Sequence, residues 1–171
     1  MSRVWPKLDP QAVRFVLTFF ICVAAFSLVV QVPWINDRII IPYTAFLARI
    51  TARVLTWTGY PVAAEGPALI WKGIVVSIRR GCDGLEAAIL LISACLAYPA
   101  RWKSKLLGTL AGFVVIFVLN LVRIVVLAYL GFTGTQENFD FAHVYVAQFA
   151  VIAVTMVFWI FWAGKQKPIR S

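Results

Sequence analysis

Residues 106–130 read LLGTLAGFVVIFVLNLVRIVVLAYL, a run in which Arg123 is the one charged side chain. As a helix this stretch rises about 37 Å at 1.5 Å per residue, enough to cross ~30 Å of hydrocarbon. The rest of the chain agrees. Of 171 residues 62% are hydrophobic and 13% charged, and the mean hydropathy is +0.88. A soluble domain of this size carries roughly a quarter charged residues, so the solvent implied is a bilayer. No Pro/Ser-rich spacer interrupts the chain, and residues 1–171 are expected to form a single membrane domain.

Working outward from that run, further spans are expected at about 12–32, 84–99 and 143–163, giving four transmembrane helices with 106–130. The first resembles a signal peptide in position, but its apolar run is long and no A-x-A cleavage site follows, so it reads as a retained anchor. Residues 40–59 carry Arg49 and Arg53 off a face shared by Tyr43, Phe46, Leu47, Ile50, Val54 and Trp57. That pattern predicts an interfacial amphipathic helix, with a tilted span as the alternative. Glu65-Gly66-Pro67 and Lys72-Gly73 punctuate short runs of β-formers, so 61–80 predicts a small external β-hairpin. Gly131–Ala142 reads as a loop. The expected fold class is all-α integral membrane with those two additions.

The net charge of +9 is informative through its placement. Arg3, Lys7 and Arg14 precede or open the first span, Arg101, Lys103 and Lys105 sit between two spans, and Lys165, Lys167 and Arg170 follow the last. This is the positive-inside distribution, not a nucleic-acid surface. It places both termini in the cytoplasm of a plasma (inner) membrane protein, and the 61–80 hairpin and the acidic 131–142 loop outside.

Three cysteines, one histidine and no CxxC argue against a structural metal site. Cys22 and Cys95 lie within apolar helices, as packing thiols do. Cys82 is expected at the outer start of the second span, where a helix N-terminus favours thiolate. His143 opens the fourth span at the same side. Arg123 lies seven residues before Leu130, about 10 Å from the outer end of its helix, and Asn120 is one turn deeper on the same face. A lone cysteine or histidine at a helix start is usually structural. An arginine at that depth costs at least ~2.5–3.5 kcal/mol and needs a partner or a wet cavity, whereas Asn120 could simply hold helices together.

Together the set suits acyl transfer: Cys82 as nucleophile, His143 as base and then acid, Arg123 as oxyanion donor, and Asn120 in support, orienting Arg123 or His143. Asp83 and Glu86 oppose a thiolate, while Arg79 and Arg80 favour it. Two other functions fit the same residues: a thiol-dependent acyltransferase or hydrolase acting on membrane lipid, and a non-enzymatic anion transporter or assembly subunit.

The elements Cys82-Asp83-Gly84-Leu85, Asn120-Leu121-Val122-Arg123-Ile124 and His143, with Gly59-Tyr60-Pro61-Val62 upstream, resemble the exosortase/archaeosortase family of membrane cysteine transpeptidases. The resemblance spans roughly residues 40–160, and the wording Gly81-Cys82-Asp83-Gly84-Leu85-Glu86 is similar to the exosortase H subgroup. The chain departs from the pattern at Asp83, where Ser or Thr is common, at Glu86 and at Ala147, and it is short. The resemblance implies that Cys82, Arg123 and His143 are catalytic and that no cofactor is used. It also implies substrates: exported proteins ending in a short motif, a transmembrane helix and a basic cluster.

Overall fold

The computed structural model describes residues 9–166. Arg3, Lys7, Lys167 and Arg170, four of the basic residues expected to flank the outermost spans, lie outside them. The elements run α1 (Pro10–Val29), α2 (Pro33–Ile35), a π-helical turn (Asn36–Ile40), α3 (Ile41–Trp57), β1 (Ala63–Glu65), β2 (Ala68–Trp71), β3 (Ile74–Ser77), α4 (Leu85–Ala97), α5 (Trp102–Thr133), α6 (Gln136–Phe141), a second π-helical turn (Ala142–Ala147) and α7 (Gln148–Gly164). The protein is mostly helical. Among the described residues three helical stretches, Pro10–Val29, Pro33–Trp57 and Trp102–Thr133, are long and apolar enough to cross a membrane.

Local chemistry explains several boundaries. α1 begins with Pro10 behind Asp9, whose side chain accepts from the Gln11 amide, a proline-at-N1 start with an N-cap. The second helical stretch starts earlier than residue 40, because Pro33 also opens a helix. Pro42 lies inside that stretch, where its ring and missing N–H disrupt α-helical bonding; the π-turn just before it widens the helix at that point. The expected loop 131–142 is mostly helical. Only Gly134 and Thr135 separate α5 from α6, with the Thr135 hydroxyl accepting from the Asn138 amide as a cap.

Three short strands replace the expected two-stranded hairpin. They form an antiparallel sheet in the order β1-β2-β3, pairing Glu65 with Ala68 and Trp71 with Ile74 at the turns. Lys72 (φ 49°) and Gly73 (φ 81°) occupy the left-handed region that a tight hairpin turn requires.

The sheet packs on α3 and one end of α5, burying Leu47, Ala48, Ala52, Leu55, Leu69, Ile78, Ile124, Ala128 and Phe132 together. This end is the sheet end of the molecule. The buried face of α3 is its small-residue side, Thr44, Leu47, Ala48, Thr51, Ala52 and Leu55. Of the apolar face read from the sequence only Leu47 is fully buried; Phe46 and Trp57 point outward, at 45% and 85% exposure. Small residues pack inward because they let helix backbones approach, and lipid accepts the large ones.

A second core joins α4, α5 and α7 through Leu91, Cys95, Ile116, Val151 and Trp162. Gly112 on α5 makes room there, since a Cβ would collide with Leu91 and Phe158. α1 lies along α4 and has no buried residue, so its Leu17, Phe20, Ile21 and Leu28 form an apolar outer surface with α5 and α7. A contiguous belt of that kind belongs in lipid. Opposite the sheet, Lys105 donates to the Leu96 carbonyl and Ser104 bonds Gln166, so Arg101, the start of α5 and Lys165 gather at a basic end.

Candidate active site

The segment between β3 and α4 is a sharp, heavily tethered loop. Ile78 donates its amide to the Pro67 carbonyl and Cys82 donates to Arg79. Gly81 (φ 88°) and Gly84 (φ 78°) take left-handed conformations on either side of Cys82 and Asp83, positions that glycine reaches without steric cost. Three tethers fix the loop. Arg80 donates to the Val30 carbonyl (3.0 Å) and to Asn36 Oδ1 (2.8 Å), Tyr43 donates to the Asp83 carbonyl (3.3 Å), and the Asp83 carboxylate caps α4 through the Leu85 amide (3.1 Å). Neither Tyr43 nor the Arg80 tether was visible in the sequence, because both bridge more than 35 positions.

Cys82 therefore stands before the N-cap of α4, Gly84, rather than on the helix start the sequence suggested. Burial pushes the Cys82 thiol above its ordinary value; the Arg123 guanidinium pulls it back, and the Asp83 and Glu86 carboxylates add to the rise.

The side chains expected to meet do meet. Cys82 Sγ lies 2.6 Å from His143 Nε2, and Arg123 Nη2 lies 3.9 Å from the same sulfur. Three chain segments thus converge on one atom: the β3–α4 loop, α5, and the π-turn before α7. Phe139 stacks on the His143 ring at 5.7 Å and 23°, fixing its plane. Because α5 continues to Thr133, Arg123 is ten residues from its end, about 15 Å rather than 10 Å at 1.5 Å per residue. Arg123 is 8% exposed and its Nε has no hydrogen-bond partner among the described residues.

Asn120 is fully buried, and neither its amide nitrogen nor its oxygen finds a partner among the described residues. It does not bond Arg123 or His143, contrary to the role the sequence suggested. Instead it abuts Gly84, where a Cβ would stand 3.0 Å from its Cγ. Left unpaired, a buried amide of this kind costs about 1–3 kcal/mol.

A groove of about 540 Å³ opens onto the thiol and imidazole. β3 and Arg79 form one wall, Phe139 and His143 the other, and Ile124, Leu127 and Ala128 of α5 the floor. Among the described residues no three His, Cys, Asp or Glu side chains converge as metal ligands would. The arrangement offers a nucleophile, an adjoining base and a fixed cation beside a cleft large enough for a short peptide.

No curated protein and no solved structure matches the chain. The model of the transmembrane exosortase (EpsH) family matches residues 10–161, from the start of α1 into α7 and through every residue of this cluster, and the chain belongs to the transmembrane exosortase family.

Proposed function

We propose that the protein is a cysteine transpeptidase that cuts the C-terminal sorting tails of exported proteins and passes the acyl group to an acceptor. The observation that carries this reading is the 2.6 Å approach of His143 Nε2 to Cys82 Sγ with Arg123 Nη2 on the same sulfur. Cys82 begins as a neutral thiol. As Sγ attacks the scissile carbonyl, its proton passes to His143 Nε2, which avoids placing a free thiolate beside Asp83 and Glu86. Arg123 donates to the carbonyl oxygen as it gains charge in a poorly hydrated site. His143 then gives the proton to the departing amine, leaving a Cys82 thioester. An acceptor nucleophile attacks the thioester, and His143 takes its proton and passes it to the departing Cys82 sulfur, which restores the thiol. Asn120 and Gly84 act together as positioning residues for the loop that carries Cys82.

The same reading places the sheet end outside a bacterial plasma membrane, with four spans and both termini in the cytoplasm. Arg101, Lys103, Lys105 and Lys165 at the opposite end support that orientation. The 33–57 stretch is long enough to cross, but we read it as lying in the interface. Asn36 near its start is held by Arg80, and Tyr60 beyond its end packs on Tyr129 at the sheet end of α5, so both ends belong to one layer. The substrates would share that layer: a tail with a recognition motif, a membrane helix and a basic cluster presents its cleavage point at the outer boundary.

Acyl-enzyme trapping tests the proposal. A secreted reporter carrying such a tail is expressed with the wild-type protein, and Cys82-containing peptides are analysed by mass spectrometry after acid quench. A thioester to the reporter peptide is expected. A fatty-acyl adduct would transfer the site to lipid chemistry, and normal reporter processing by Cys82→Ser would remove the nucleophile.

A further inference from the structure

β3 is an edge strand whose free side borders the groove, and the phase of its hydrogen bonds can be read. In an antiparallel pair, successive residues point their N–H and C=O groups alternately toward the partner and away from it. The bond from the Ile78 amide to the Pro67 carbonyl sets the phase. With the register Ala68↔Ser77, Leu69↔Val76, Ile70↔Val75 and Trp71↔Ile74, residues Ile74, Val76 and Ile78 bond inward to β2. Val75 and Ser77 therefore turn both backbone polar groups outward, and no fourth strand lies beyond them among the described residues.

An open edge of this kind is a template for another chain. Here it lines the same groove as Cys82 and His143, and its far wall is Phe139. The strand leads through Arg79–Gly81 directly to the thiol. A peptide strand placed one ladder spacing from β3, about 4.8 Å, would run along the groove toward Sγ. Two outward residues are too few to hold a second folded copy, since a stable interface buries on the order of 1,000 Å² or more. They suit a peptide that must be bound, cut and released.

We infer that the tail segment beside the scissile bond binds as an added strand on β3, its main chain paired with the outward N–H and C=O groups of Val75 and Ser77. This inference rests on the proposed peptide chemistry of Cys82 and adds the recognition mode: main-chain pairing holds the tail whatever its side chains, while the groove selects among them.

The test uses full-length protein in membranes and a secreted reporter fused to a C-terminal tail that ends in a membrane helix and a basic cluster. Val75→Pro and Ser77→Pro each delete one outward N–H without touching the inward ladder. Each is expected to raise KM for the reporter about fivefold to tenfold with kcat nearly unchanged. Ala64→Pro, on the opposite edge of the sheet, is expected to leave KM where it was. Because a proline variant can misfold, a second arm uses Val75→Cys and Ser77→Cys in a Cys82→Ala background, oxidised against single cysteines along the tail. If Val75→Cys links to tail position n, Ser77→Cys should link to n−2 or n+2, the two-residue period of a strand. Wild-type KM in folded proline variants, links without that period, or links only between two copies would each overturn the added strand while Cys82-dependent cleavage stands. Absence of Cys82-dependent cleavage from every such tail would instead remove the peptidase reading, and this inference with it.

Discussion

Gly84 and Asn120, 36 positions apart in the sequence, are packed so closely that a Cβ on the glycine would lie 3.0 Å from Asn120 Cγ and 3.2 Å from its Nδ2. The glycine is needed twice over, for the approach and for its φ of 78°. This contact sets the height of the Cys82 loop against the helix that carries Arg123.

Gly84→Ala should therefore be costly. An L-residue in the left-handed region costs about 1–2 kcal/mol, and the Cβ must also displace Asn120. The double variant Gly84→Ala/Asn120→Ala relieves the collision but not the backbone strain. Thermal unfolding in detergent should rank wild type above the double variant and the double variant above Gly84→Ala. Equal stability of Gly84→Ala and wild type would show that the contact is not limiting.

The Cys82 thiol should titrate above an ordinary cysteine, so labelling by a maleimide at neutral pH should be slow and should rise as pH passes the usual thiol range. The neighbours give the sign. Asp83→Asn keeps the cap to Leu85 but removes a negative charge, and should move the labelling profile to lower pH. Arg123→Ala removes the cation and should move it higher. Cys95 is fully buried and should react more slowly than Cys82 in folded protein at any pH. A profile that shifted the opposite way in Asp83→Asn would reject this electrostatic account.

Arg123 separates charge from geometry. A planar guanidinium can serve the sulfur and a developing oxyanion at once, whereas lysine offers a single point charge. Arg123→Lys should lose about 10²–10³ in the rate of tail cleavage at a normal membrane level, measured with the reporter at matched expression. Turnover near wild type would limit the residue to neutralising charge, and full activity in Arg123→Ala would dismiss the site.

Topology can be read by cysteine accessibility in intact cells, using Gly66→Cys and Gly134→Cys at the sheet end and Lys103→Cys at the basic end. The first two should label with a membrane-impermeant reagent and the third only after permeabilisation. Labelling of Gly66→Cys from the cytoplasm alone would turn the site inward and end the exported-tail proposal.

How much of this was written in the one-dimensional chain follows from the range of each interaction. Composition and long apolar runs identify a membrane protein, because lipid acts on every residue alike. Turn chemistry at Lys72-Gly73 is local, and it read correctly. The cluster of Cys82, Arg123 and His143 was also legible, since chemically demanding residues are rare in such a chain and stand out against it. Tertiary structure decided the rest. It chose the small-residue side of α3 for burial, added a third strand by pairing β2 on both edges, and made most of 131–142 helical. It placed Cys82 in the loop before Gly84, the N-cap of α4, where partial burial raises the thiol above its ordinary value. It also set Asn120 against Gly84 rather than against Arg123. Each of these depends on which surfaces meet across tens of positions, and no local propensity encodes which partner lies on the far side of a contact.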